Sequence, residues 1–245
     1  MTTSHSNSTD GANVGGIVLA VAIIIGAGLL SYGLSNSVQS FRNFDRVVEV
    51  KGLAEREVKA DTAIWPLKVV RAGNTQNTIY EELDKDIQAI RAFLLVNGFD
   101  EAELSVSAPN VLDKLAERWA TEDVGLRYTG EQTLTVYTEK VDRVRELRQQ
   151  LSELGKQGVS LSGNNYDSAV EYHFNGLNAI KPSMIEESAR NAREVALRFA
   201  EHSDSQLGKI RSANQGQFTI YDRDSNTPHL KIVRVVSTVS YQLVD

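Results

Sequence analysis

From Gly11 to Phe41 no side chain is charged, and Val14–Leu34 within that stretch is almost entirely apolar. At 1.5 Å per residue such a run rises about 30 Å as a helix, close to the thickness of a bilayer's hydrocarbon core. The pattern predicts one transmembrane helix over 14–34, behind a tail over 1–13 whose Ser, Thr, Asn and Gly read as disordered. A cleaved signal peptide ordinarily has a positive amino-terminal region and a shorter apolar core. No Lys or Arg precedes Val14, and a buried core helix would rarely need so long a lipid-like run. The expectation is therefore an uncleaved anchor, a linker over 35–45 and one polar domain over 46–245.

Within that domain the period of the apolar positions changes repeatedly. Arg46–Val50 and Ala63–Arg71 are β-branched or alternate in polarity and predict strands, with Lys51–Lys59 joining them. Pro66 has no amide proton to give a ladder, which predicts an edge or a bulge at that position. Ile79, Leu83, Ile87, Ile90 and Leu94 then fall on one face of a helix, with Glu81, Glu82, Lys85 and Asp86 toward water and Asn97-Gly98 as its stop. Strands follow around Glu103–Leu112 and Tyr128–Thr138, separated by an irregular stretch Asp113–Gly125. A helix over Val141–Leu154 turns Val141, Val144, Leu147, Leu151 and Leu154 inward and stops at Gly155.

The second half has the same order. Ala169–Phe174 alternates, with Val170, Tyr172 and Phe174 on one face. A helix over Ser183–Glu201 is predicted to bury Ile185, Ala192, Val195 and Phe199, opened by a capping box of Ser183 and Glu186 after Pro182. Final strands run near Lys209–Tyr221 and Leu230–Leu243. Glu81-Glu82 matches Glu186-Glu187, Ile90 matches Val195, Leu94 matches Phe199, and Leu134 and Val136 match Val239 and Tyr241, all at an offset of 105 residues. The predicted fold class is α+β: two β-α-β-β repeats, roughly 60–138 and 165–243, with antiparallel sheets packed by helices, plus the one N-terminal transmembrane helix.

Charge narrows the partners. Of 26 Lys and Arg against 32 Asp and Glu, only Asp10 precedes the apolar span, and the signs are interspersed afterwards. A phosphate-tracking surface needs a basic stripe, so nucleic acid is not an expected partner. The chain has no cysteine, which excludes disulfides and thiol chemistry. Arg42, Arg46 and Lys51 follow the span, with Asp45 and Glu49 among them; the positive-inside rule applied to these three would leave the domain in the cytoplasm.

No residue set specifies a reaction. His5 lies in the tail, His202 ends a helix and His229 follows Pro228 in a hairpin loop. Glu171 and His173 share a strand face and have the types of half a metal site or an acid–base pair, but a solvated strand face is the preferred reading. Asp222-Arg-Asp224-Ser-Asn226 opens like a calcium loop, yet Thr227 stands where glycine is required and Val233 where the closing glutamate is; a polar turn is expected there. Gly158-Val-Ser160-Leu-Ser162-Gly163 lacks the second glycine spacing of a nucleophile elbow. Phosphate-loop and dinucleotide fingerprints are absent from the sequence. Catalytic, cofactor-binding and metal residues are all expected to be none, and no enzyme is expected.

Particular residues nevertheless carry a resemblance. Val50-Lys-Gly52-Leu-Ala54-Glu-Arg-Glu57-Val58-Lys-Ala60-Asp61-Thr-Ala63 resembles the opening strand pair of the SIMPL-domain family, with Ala60 where that family usually has proline. The helix carrying Ala189, Ala192, Ala196 and Ala200, the following Leu207-Gly208-Lys209-Ile210, and the β-rich end Val233–Leu243 are similar too. The resemblance spans about Val47 to Val244. It implies a bacterial envelope protein, with an α+β domain exported to the periplasm that assembles into ring-like or channel-like homo-oligomers. It also implies a loose association with oxidative stress and no established catalytic residues.

The expectation that follows is a single-pass inner-membrane protein held in the bilayer through residues 14–34. Its domain faces the periplasm, with the cytoplasmic orientation left open by the charge argument. Its partner is itself, through exposed strand edges and helix faces, in a structural or stress-related role. The alternative is a monomeric envelope binding module for a protein or small ligand.

Overall fold

A computed structural model describes residues 46–116, 125–162 and 169–244. The predicted tail, anchor and linker, and Arg42 with them, lie outside the described residues. No helix among the described residues is long and apolar enough to cross a membrane. The described chain is α+β, four helices with two antiparallel sheets. In order the elements are β1 (Val47–Lys59), β2 (Thr62–Gly73), α1 (Gln76–Val96), β3 (Leu104–Val106), β4 (Asn110–Asp113), β5 (Tyr128–Thr138), α2 (Val141–Arg148), α3 (Leu151–Lys156), β6 (Glu171–His173), α4 (Leu177–His202), β7 (Gln206–Gln215), β8 (Thr219–Asp222) and β9 (Leu230–Val244). They form two compact units.

The larger unit has as its described residues 54–116, 125–162, 169–184 and 217–235. Its sheet has the order β3-β5-β2-β6, with β4 also on β5. β2 and β5 pair from Ala63↔Thr138 to Gly73↔Tyr128, which sets Ala63, Trp65, Leu67 and Val69 beside Leu134 and Val136 on one face. The predicted stripe of α1 (Ile79, Leu83, Ile87, Ile90, Leu94) packs into that face together with Val144, Leu147 and Leu154. α1 ends where expected, at Asn97 with Gly98 at φ +91°. The Val70 N–H donates to Ser160 O on the side of β2 away from β5. By strand alternation the Pro66 nitrogen faces that same side, between the short pairings with β6 and Leu161. The missing donor therefore costs no bond to β5.

The smaller unit has as its described residues 46–53, 185–216 and 236–244. There β7 pairs antiparallel with the end of β9, with register shifts between Leu207 and Ser212. Val50, Ala192, Ala196, Val239 and Tyr241 form the core. A Cβ built on Gly52 would stand 1.8 Å from Ser188 O and 2.4 Å from Ala192 N, so strand and helix touch backbone to backbone at that point.

Several expectations are corrected. Lys51–Lys59 is no connector: β1 runs through it to Lys59, because alternating charged residues suit a strand with one wet face. Asp86 does not face water; its side chain is buried. Glu103–Leu112 is two short strands, β3 and β4, and Lys209–Tyr221 is likewise divided into β7 and β8. The helix Val141–Leu154 breaks at Gln149-Gln150, where i→i−3 bonds to Glu146 O and Leu147 O tighten its last turn. It stops at Gly158 (φ +86°) rather than Gly155.

α4 begins at Leu177, with Pro182 inside it. Ser183 forms no cap: its hydroxyl donates to Ile180 O and accepts from Arg56. In the smaller unit the inward row of α4 is Ser188, Ala192, Ala196 and Ala200, while Ile185 is half-buried and Val195 and Phe199 are exposed. The close approach at Gly52 is the reason. It admits only small side chains on the facing row, so the helix is rotated away from its largest apolar residues.

The element order β2-α1-β3-β4-β5 recurs as β6-α4-β7-β8-β9, and Leu134, Val136, Val239 and Tyr241 are all buried as the offset predicts. The pairing recurs in part, since β3 and β4 lie on β5 as β7 and β8 lie on β9, but the β2–β5 pair has no β6–β9 counterpart. β6 joins β2 in the first sheet, whereas β9 has β1 and β7 as neighbours.

Candidate functional site

A concavity of mixed chemistry lies in the larger unit, where the carboxyl-terminal half of α2 meets the turn before β9. It is a cleft of about 320 Å³ whose lining includes Arg145, Arg148, Tyr172, Asn226 and His229. Arg145 and Arg148 are three residues apart and so share a helix face. His229 as a residue is 8% exposed, its ring edge-on to that of Tyr172 with centroids 6.0 Å apart, and its carbonyl accepts the Ala60 N–H at 2.8 Å. Burial pushes His229 below the ordinary histidine value. Arg145, Lys59 and Arg223 push the same way, against Asp142. Burial pushes the Tyr172 phenol up, opposed by the nearby cations Arg148 and Arg145. Both rings are thus held neutral in a positive field.

Of the residues singled out from the sequence, Asn226 and His229 line this cleft and the others lie elsewhere. Glu171 and His173 do sit together on β6, with His173 Nε2 3.4 Å from Glu171 Oε2 and both exposed. No third His, Asp or Glu joins them into a metal-holding group among the described residues. The Asp222–Asn226 segment is a turn closed on itself. Asp224 accepts from the Asn226 and Thr227 amides at 2.8 Å, from the Thr227 hydroxyl and from Arg223 Nε at 3.0 Å. The hydroxyl and Arg223 foremost hold its carboxyl far below the usual range. Asp222 pairs with Lys231. Ser160 and Ser162 extend the sheet beside β2, with Ser162 N–H donating to Lys68 O at 2.8 Å; Gly163 is outside the described residues, as is His5. His202 ends α4, exposed. Sequence reasoning missed His229 as a cleft residue, and Pro228 beside it was the only local sign.

A second polar centre is structural. Lys140 donates to Asp100 Oδ2, Glu103 Oε2 and Gly98 O, and Thr138 donates to Glu103 Oε1 at 2.6 Å. Burial works against the Glu103 carboxylate, but these donors and the Asp100 amide outweigh it and lower its pKa.

The family model for SIMPL, described as a protein of unknown function (DUF541), matches residues 48–238. The chain belongs to the SIMPL family. No curated protein matches it. In this SIMPL chain the opening motif does structural work at two points. Gly52 permits the contact of β1 with α4 in the smaller unit. In the larger unit Asp61 accepts the Asn175 and Gly176 amides at 2.8 and 2.9 Å, the Asn175 side chain at 3.1 Å and the Thr62 hydroxyl at 3.0 Å. One carboxylate so satisfies the backbone donors just ahead of α4. The alanines of the SIMPL helix, Ala192, Ala196 and Ala200, are its inward row in the smaller unit. None of these residues lines the His229 cleft.

Proposed function

We propose that this SIMPL protein is a single-pass inner-membrane protein, anchored through 14–34. Its domain faces the periplasm and self-assembles into a ring- or channel-like homo-oligomer, in a structural or stress-related role and without catalysis. The observation that carries the assembly reading is the edge of the smaller unit's sheet. β7 ends the strand order and is exposed along nearly its whole length, and an edge of unpaired amides and carbonyls is ordinarily covered by a neighbour. Exposed Val195 and Phe199, at 38% and 57% on one face of α4, add apolar area for such a contact. The two runs β2–β5 and β6–β9 read as a duplicated β-α-β-β unit, which supplies similar surfaces for a closed ring.

Light scattering on the detergent-solubilised full chain is the test of assembly. The native chain is expected to run at several times its monomer mass. Val195→Glu with Phe199→Glu is expected to run as a folded monomer, since both side chains already face water. A native monomer at micromolar concentration would instead favour the monomeric binding module, for which the His229 cleft is the supporting observation.

The anchor is tested separately. The full chain is expected to stay with membranes through a carbonate wash, because burying an apolar run of this length outweighs surface attachment. A reporter fused after Asp245 and active only outside the cytoplasm is expected to be active. A silent reporter would mean that the charge bias of Arg42, Arg46 and Lys51 sets the orientation.

A further inference from the structure

We infer that the cleft at His229 binds a small oxyanion, a carboxylate or a phosphate, held by the guanidinium groups of Arg145 and Arg148 with Asn226 and the His229 imidazole as the remaining polar contacts.

Four features of the larger unit lead there. Arg148 has no carboxylate partner among the described residues and lines the cleft beside the neutral Tyr172 phenol. Arg145 spends one nitrogen on Asp142, at 3.3 Å, and Asp142 is also paired with Lys59. The other nearby acid, Asp224, is consumed by its own turn and Arg223. The cleft therefore keeps positive charge that its own residues do not balance, in the planar fork geometry that matches carboxylate and phosphate oxygens.

The fourth feature is His229 itself. It is buried, it lines the cleft, and its ring nitrogens have no hydrogen bond among the described residues. Arg91 Nε alone is a buried, unpartnered side-chain atom among the described residues, so the imidazole nitrogens are open to the cleft, and an anion there can accept a hydrogen bond from the ring N–H. Arg145, Lys59 and Arg223 act on this imidazole as cations, Asp142 as the opposing anion and Tyr172 as a neutral ring, with Arg148 lining the same cleft. An anion bound among them offsets the burial that foremost disfavours the imidazolium, and counters the positive field that adds to it. Binding then takes up a proton, and affinity rises as pH falls. A volume near 320 Å³ suits a small dianion and lies at the lower end for ligand sites.

Calorimetry on the full chain in non-ionic detergent tests this, with inorganic phosphate, succinate and a short-chain phosphatidylglycerol as separate probes. Saturable binding is expected for at least one, several-fold tighter at about pH 6 than at about pH 8. The probe bound most tightly tells a free anion from a lipid headgroup. Arg148→Gln, at an exposed position, is expected to weaken binding by about tenfold or more, the size of one charge-assisted hydrogen bond. Arg193→Gln, an exposed arginine on α4, should leave it unchanged. His229→Gln should flatten the pH dependence while binding persists. No saturable heat with any probe would overturn the inference, and so would equal affinity in Arg148→Gln or equal weakening by Arg193→Gln.

Discussion

Replacing Asp86 by alanine is expected to cost about 3 kcal/mol of stability. Asp86 on α1 is reached by Arg71 of β2 through two parallel hydrogen bonds, Nε to Oδ2 and Nη2 to Oδ1, both 2.6 Å. The Asp86 side chain is 4% exposed and that of Arg71 is 24%. The bond to Asp86 foremost raises the pKa of the guanidinium, and even without that partner an arginine keeps its charge because its ordinary value is far above neutral pH. Arg71 also donates to Gly158 O at 2.6 Å, which fixes it in place and keeps it from swinging out to water. The single variant thus leaves a half-buried cation unbalanced, and that penalty exceeds the net worth of the pair. Arg71→Met with Asp86→Leu is expected to recover most of the loss, because burying two apolar side chains removes both desolvation penalties. Denaturant midpoints of the native chain, the single and the double variant measure this. A single-variant loss below about 1 kcal/mol would mean that water already solvates the pair.

Gly52→Val is expected to lose comparable stability by a steric route. The added Cβ would stand within 2.4 Å of two backbone atoms of α4, at Ser188 and Ala192. Backbone cannot turn aside as a side chain can, so β1 and α4 must separate and the contact of Val50 with Ala192 and Ala196 goes with them. Overpacking ordinarily costs about 1–3 kcal/mol and occasionally more, and the absence of a flexible neighbour puts this site at the upper end. Gly155→Ala is the control. It lies inside α3 with nothing within 4 Å of the added methyl, and alanine there is expected to be neutral or to stabilise by up to about 1 kcal/mol. Thermal melts followed by circular dichroism separate the two. Equal melting temperatures would remove the claim that glycine is required where β1 meets α4.

α1 and β5 were readable because their signal is local. Five apolar residues at helical spacing, stopped by Asn97-Gly98, allow one helix with one inward face, and all five are buried. Leu134 and Val136 alternate with polar neighbours and are buried for the same reason. The cleft was not readable. Arg145 and Arg148 look like ordinary helix-surface charges until α2 is set against the turn that carries Asn226 and His229, dozens of residues downstream. A histidine after Pro228 reads as a loop residue, because burial depends on what packs over a position and not on its neighbours in the chain.

By itself the sequence determined the α+β class, the family, the coarse alternation of strands and helices, the inward face of α1 and the long apolar run at 14–34. Each follows from periodicity, turn chemistry or run length, which act over a few residues. Tertiary structure alone decided three other matters: that β6 pairs with β2 while β9 lies between β1 and β7, that Asp86 turns inward to Arg71, and that α4 presents alanines to the core of the smaller unit and leaves Phe199 outside. Strand pairing is chosen among edges with similar hydrogen-bonding capacity, and a helix face is chosen by how closely its neighbour can approach. At Gly52 the approach is backbone to backbone, and there a missing Cβ outweighs the hydrophobicity of Val195 and Phe199.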